Sequence, residues 1–438
     1  MNRRPAIAIS LLLLASFACI PKDDMVIPVT APPDTLDELA ASYVKLVLAL
    51  GLHDADTVDA YHGPASWRDK VEREGLTPAG IERRGNELLF RLAQIRPPDD
   101  PMLRLRHQYL EGQTRAVVTR ARIVAGERLS FDEESRLLYQ ATARHHDEKD
   151  YASVLERLES KIPGSGPLAE RYEAYRARFA IPEEKLDTVF RAAIDGCRER
   201  TLRHIALPRE ESFTVEYVQG KSWSAYNWYQ GDYRSVIQVN TDLPVFIDRA
   251  IDLACHEGYP GHHVYNALLE KNLLVDRGWV EFSIYALFSP QSLIAEGTAN
   301  YGIEVAFPGD ERLEYERRVL FPMAGLDPAG TELYYEIHTL IEQLKHSRND
   351  AARRYLSGEM DAESTVAWLQ RYALMTRGLA ERRVRFMDQY RSYIINYTVG
   401  KDLVEHSIES KGGTDERPDI RWREFEKLIS SPVLPAGL

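Results

Sequence analysis

Apolar positions recur along the chain first at helical spacing, then at strand spacing, then at helical spacing again. After Asp34 or Thr35, either of which can cap a helix, Leu36, Leu39, Ala40, Tyr43, Val44 and Val47 share one stripe that Gly51 closes. The same period predicts helices over 79–95, 102–125, 132–143, 151–162, 167–179 and 182–204, with a clear break at 161–167 (Lys-Ile-Pro-Gly-Ser-Gly-Pro). Over Ser212–Val218 the period becomes two, with Phe213, Val215 and Tyr217 on one face. Residues 234–241 read as a second strand after the Gly231-Asp232 turn signal, and 222–230 between them is crowded with aromatics. Helical spacing returns after Pro244 and lasts to about residue 406. The pattern predicts a mainly α fold with a small antiparallel β-sheet in the middle. It divides into a helical lobe over 35–205 and a site-bearing lobe over 206–410, followed by a polar C-terminal tail over 411–438 with a short helical stretch near 422–429.

The first 19 residues have a different texture. Arg3 and Arg4 precede an apolar run from Ala6 to Ala18, too short to cross a bilayer comfortably as a helix. This is an export signal. Cys19 directly after Ala18 matches a lipidation site; cleavage after Ser16-Phe17-Ala18 by an ordinary signal peptidase is the alternative. The Pro-rich stretch 20–34 suits a tether. The protein is therefore expected to be exported, either periplasmic or anchored through a lipid on Cys19, with no other membrane contact.

Composition narrows the partners. The 438 residues carry 55 Lys and Arg against 67 Asp and Glu, a net charge of −12, which argues against nucleic acid. Three cysteines are too few for a disulfide framework. With Cys19 set aside, Cys197 and Cys255 either pair or stay as two buried thiols.

The chemistry concentrates at His256-Glu257-Gly258-Tyr259-Pro260-Gly261-His262-His263, which holds three of the chain's 12 histidines in eight residues. A zinc helix of the His-Glu-x-x-His type places its histidines at i and i+4, with the glutamate as general base. Here i+4 is Pro260, so the spacing is wrong for an unbroken helix. His262 would point elsewhere, and His263 would lie about 10 Å along the axis from His256. Pro260-Gly261 cannot continue a helix undisturbed, however, and a kink there can fold His262 back beside His256. His262 is thus preferred as the second ligand, and His263 is left to support a ligand or to contact substrate. Glu296 is the best third ligand, because it lies in a stripe of small and apolar residues where a carboxylate is costly unless paired or metal-bound. Glu304 is the weaker alternative, and Asn300 could support the site. Residues 391–401 concentrate further candidates: a tyrosine hydroxyl (Tyr393 or Tyr397) for an oxyanion, and Arg391 for a substrate carboxylate.

The 256–263 motif, the Glu-Gly-Thr-Ala-Asn-Tyr segment at 296–301 and the Tyr-x-x-Gly-Lys at 397–401 together resemble a large bacterial family of unknown function. Its members are often exported or lipoproteins and are similar to helical zinc carboxypeptidases of the Taq and angiotensin-converting-enzyme type. The resemblance spans about 35–410. It implies a zincin-like body with a central cleft, Zn²⁺ held by His256, His262 and Glu296, Glu257 as base, and Tyr397 rather than Tyr393 as the oxyanion donor. Thr298 stands where the family commonly has Trp, which puts the pocket shape in question.

The expected function is a zinc-dependent hydrolase acting on peptides or small amides, of carboxypeptidase or dipeptidase type. The alternatives are an exported binding lipoprotein with a vestigial metal site, and a metal-dependent hydrolase of another amide or ester.

Overall fold

The computed structural model describes residues 35–221 and 223–438. The export signal, the tether and Cys19 lie outside the described residues. Thr35 caps α1 (Leu36–Gly51) through a capping box: its hydroxyl accepts from the Glu38 N–H, and the Glu38 carboxylate accepts from the Thr35 N–H. Leu39, Ala40, Tyr43, Val44 and Val47 of the predicted stripe are all buried. After β1 (Val58–Tyr61) come α2 (Ala65–Glu74), α3 (Pro78–Gln94) and α4 (Pro101–Val124). Helices α1, α3 and α4 enclose one hydrophobic core, joined by Ile284 and Ala286 from much later in the chain.

A larger core begins with α5 (Phe131–Tyr139), α6 (Glu148–Lys161), α7 (Leu168–Arg176) and α8 (Leu186–Leu202). The sheet follows, built from β2 (Ser212–Val218), β3 (Ala225–Gly231) and β4 (Arg234–Asn240). The aromatic stretch at 222–230 supplies β3, which pairs antiparallel with β4 across a tight turn. That turn places Asp232 and Tyr233 at φ 52° and 60°, the left-handed region that two-residue hairpin turns need. The Glu270 carboxylate accepts from both turn N–H groups, at 3.0 and 3.3 Å. With β3 on one edge of β4, β2 takes the other edge and runs parallel to it, so this sheet is mixed. A separate antiparallel pair joins β1 to β5 (Ile284–Ala286).

The remaining helices are α9 (Ile247–Leu253), α10 (His262–Leu269), α11 (Pro290–Ala306), α12 (Glu311–Tyr315), α13 (Phe321–Ala324), α14 (Thr331–Glu342), α15 (Ser347–Leu356), α16 (Ala362–Tyr372), α17 (Arg377–Tyr390), α18 (Ile395–Glu409) and α19 (Pro418–Ile429). Helix α11 runs through the larger core and packs on α18 with Gly297 against Gly400. A Cβ on Gly297 would lie 2.5 Å from the Gly400 carbonyl, so the crossing needs glycine there. Helix α19 also packs on α11 and buries Trp422, Phe425, Leu428 and Ile429. At ~2 kcal/mol for each large apolar side chain, the segment beyond 410 belongs to the core rather than trailing from it. Residues 35–438 form one compact unit, and none of the described helices is long and apolar enough to cross a membrane.

Candidate metal centre

Helix α9 does not stop at Leu253. It widens into a π turn over Ala254–Gly258, then breaks at the cis Tyr259-Pro260 bond and restarts at His262. Within the break, the Tyr259 N–H donates to the Ala254 carbonyl (3.2 Å) and the Gly261 N–H to the Cys255 carbonyl (2.9 Å). A Cβ on Gly261 would lie 1.9 Å from the His256 carbonyl oxygen, so only glycine fits this reversal. The reversal brings the His262 Nε2 to 3.1 Å from the His256 Nε2, with the rings nearly perpendicular at 88°.

The Gly297–Gly400 contact sets α11 and α18 close together, and Glu296 enters from α11 facing the two imidazoles. Its Oε2 lies 3.3 Å from the His256 Nε2 and 3.7 Å from the His262 Nε2. Its Oε1 accepts from the Tyr393 hydroxyl at 2.8 Å. Glu257 adds a buried carboxylate whose ligand oxygen lies within 4.8 Å of both imidazole nitrogens.

The donor set fits a divalent metal such as zinc on three counts. Bonds of about 2.0–2.1 Å in a tetrahedral site put neighbouring ligand atoms roughly 3.3 Å apart, and the three separations here are 3.1, 3.3 and 3.7 Å. Glu296 Oε2 is buried without a hydrogen bond, although buried carboxylate oxygens ordinarily have partners. Its two imidazole contacts are close but lack hydrogen-bond geometry. Finally, no Lys or Arg among the described residues forms an ion pair with Glu257 or Glu296. The electrostatics reflect this deficit of positive charge. Burial acts against a charged His262, yet Glu296, then Glu257 and Asp59, push it up to about 9. Burial alone would raise Glu296, but His256 and His262 hold it well below the ordinary carboxylate range. The two imidazoles keep 15% and 16% of their side-chain surface exposed, so solvent reaches them.

Two residues not singled out in the sequence belong here. Asp59, on β1, is pushed up to about 7 by burial, with Glu296 and Glu257 adding to the shift and His262 opposing it. It accepts a hydrogen bond from the Tyr226 hydroxyl of β3. Asn227, also on β3, donates to the Glu257 backbone carbonyl at 2.7 Å and so fixes the turn that carries the glutamate. The two candidate tyrosines stand differently toward the cluster. Tyr393 contacts Glu296, whereas Tyr397, at 5.8 Å between ring centroids from Tyr393, has a hydroxyl without a hydrogen-bond partner among the described residues.

Other candidates do not join the cluster. His263 is fully buried and turned away: its Nε2 lies 3.0 Å from Glu211 and its Nδ1 2.9 Å from the Ser235 hydroxyl. It cannot contact substrate, because at one residue past His262 on α10 it projects toward the sheet instead. Arg391 is committed to Glu134, with its Nε at 2.7 Å, rather than to a substrate group. Glu304 pairs with Lys401; Asn300, by contrast, donates to the Glu296 backbone carbonyl at 2.8 Å and so supports the turn that carries the third candidate ligand. Cys197 and Cys255 are free buried thiols.

No family model and no curated protein matches the chain. Among solved structures it is similar to one described as "the putative lipoprotein from Colwellia psychrerythraea". The TM-score is 0.53 at 13% identity, over 89% of this chain and 67% of that one. The likeness is one of fold.

Proposed function

We propose that the protein is a zinc-dependent hydrolase of peptides or small amides, exported and anchored as a lipoprotein or free in the periplasm. The observation that carries the reading is the convergence of His256, His262 and Glu296 on one point, with Glu257 alongside. Fold likeness to a lipoprotein-described chain and the signal-like N-terminus support the export part. In this reading His256, His262 and Glu296 hold the metal, which when bound supplies Lewis acidity that polarises a scissile carbonyl and acidifies water. Glu257 takes the proton of the attacking water and delivers it to the leaving nitrogen as the amide C–N bond breaks. Asn227 keeps Glu257 on station by holding its carbonyl. Tyr393 fixes the Glu296 carboxylate through Oε1, leaving Oε2 for the metal. Tyr397, whose hydroxyl is uncommitted, donates to the developing oxyanion.

The test is metal analysis of the purified full chain together with digestion of a mixed peptide library, read by mass spectrometry. The reading expects about one zinc per chain and cleavage products that vanish with a chelator and with Glu257→Gln. A metal-free protein, or full activity in Glu257→Gln, would rule it out.

A further inference from the structure

Arg348 and Arg383 are half-buried arginines that meet no carboxylate, as Arg354 and Arg382 also are. Most buried or half-buried arginines are spent on carboxylates: Arg106 on Glu281, Arg120 on Asp54, Arg312 on Asp252 and Glu316, Arg353 on Asp350. Arg348, on α15, and Arg383, on α17, form no ion pair among the described residues, and Arg348 Nε is buried without a hydrogen-bond partner. Both are only half-buried, so a solute can reach them.

Their position is fixed by a row of contacts leading from the metal centre. The Tyr393 hydroxyl meets Glu296 at 2.8 Å. The Tyr393 ring lies 5.8 Å from Tyr397, and Tyr397 lies 6.3 Å from Phe386. The Arg383 guanidinium lies 5.1 Å from the Phe386 ring centre. On the other side, Asn349 donates to Thr398 at 2.7 Å, tying the turn that carries Arg348 to the turn that carries Tyr397. Burial and then Arg348 hold the Arg383 guanidinium down to about 10, and burial likewise lowers Arg348, with Arg249 adding to it and Glu342 opposing. Two unpaired guanidinium groups near one another in a partly dry wall are unfavourable until an anion arrives. A planar carboxylate matches the guanidinium fork.

We propose that Arg348 and Arg383 form the subsite for a substrate carboxylate, so that the metal centre works beside the free C-terminus of a peptide. This assigns to the pair the part that Arg391 cannot play, and it rests on the hydrolase reading above. Tyr397 then lies between the anchored carboxylate and the scissile bond.

The test is calorimetric binding to the full-length Glu257→Gln protein, which is not expected to cleave, with and without added zinc. Three probes are used: N-acetyl-trialanine, its C-terminal amide, and N-acetyl-Ala-Glu-Ala amide. The free acid should bind at least about tenfold more tightly than either amide, as a charge-assisted contact implies. Arg383→Gln should abolish that preference while leaving amide binding unchanged, and Arg383→Lys should restore part of it. If Arg383→Gln does not fold, as shown by its thermal transition, Arg348→Gln serves in its place. Equal binding of acid and amide, no binding of the acid at millimolar concentration, or a preference that survives both substitutions would overturn the proposal. So would binding of the glutamate-containing amide as tightly as the free acid, which would make the pair a reader of acidic side chains. Discrimination by the binding protein with no cleavage by the wild type would sink the hydrolase reading and leave the subsite standing; cleavage without discrimination would do the reverse.

Discussion

Among the described residues, two clusters have metal-ligating residue types within reach of one another: His256, Glu257 and His262 in one, and Asp248, Asp252 and His338 in the other. They are built differently. In the second, Arg312 contacts Asp252 at 2.9 Å and Glu316 at 2.9 Å, Arg249 takes the other Asp252 oxygen, and Tyr334 donates to Asp248 at 2.5 Å. Its negative charge already has two guanidinium groups to answer it. In the first, Glu296 faces two imidazoles with Glu257 alongside and Asp59 within electrostatic reach, and none of the three carboxylates pairs with a Lys or Arg among the described residues. Residue types alone do not separate the two; what does is that the carboxylates of the first face imidazoles, which can also ligate a metal, whereas those of the second face guanidinium groups, which cannot.

Substitutions should separate the clusters. The largest effect is expected on metal content: His262→Ala or His256→Ala should drop bound zinc from about one per chain to near zero, since three protein ligands are the minimum for such sites. Asp252→Asn should leave it unchanged. Elemental analysis of dialysed protein reads this directly. Next, Glu257→Gln should lower kcat on a cleaved peptide by about 10²–10⁴-fold with zinc retained, the range for a general base. In the second cluster Asp252→Ala should cost stability rather than activity, about 1–3 kcal/mol, because it takes one of two carboxylate partners from the buried Arg312; urea unfolding measures it.

How much of this was legible in the sequence follows from which contacts are local. The α1 stripe, β2 and the Pro-Gly break between His256 and His262 are written within a few residues of one another, and the structure places them where the spacing points. Glu296 was legible because a lone carboxylate in a small, apolar stripe is chemically conspicuous. Asp59 was not: β1 has four residues, too few for an alternation to show, and its partner β5 comes more than 200 residues later. Asn227 was hidden in an aromatic stretch whose strand character depends on β4. His263 illustrates the limit of adjacency. Neighbouring histidines on a helix point roughly 100° apart, and only the fold reveals that Glu211 and Ser235 wait on the far side.

That buried network gives a smaller test. His263→Ala should destabilise the protein by ~2 kcal/mol, leaving Glu211 short of a partner, while zinc content stays near one per chain; loss of zinc would make it part of the metal site after all. The smallest effect concerns pH. Glu316 is pushed up to about 8 by burial, with Asp248 and Asp252 adding and Arg312 opposing. Because its folded pKa lies above its unfolded one, its contribution to stability is fully present below about pH 4.5 and is lost as pH rises through about 8. Glu316→Gln should therefore flatten the thermal midpoint between pH 5 and about 8, as scanning calorimetry would record.

The central claim is that the first cluster, and not the second, holds a metal. Crystals of the full chain grown with zinc and measured at the zinc absorption edge decide it. The account predicts one anomalous peak bounded by His256 Nε2, His262 Nε2 and Glu296. A peak among Asp248, Asp252 and His338, a peak at His263, or no peak at the first cluster would contradict it.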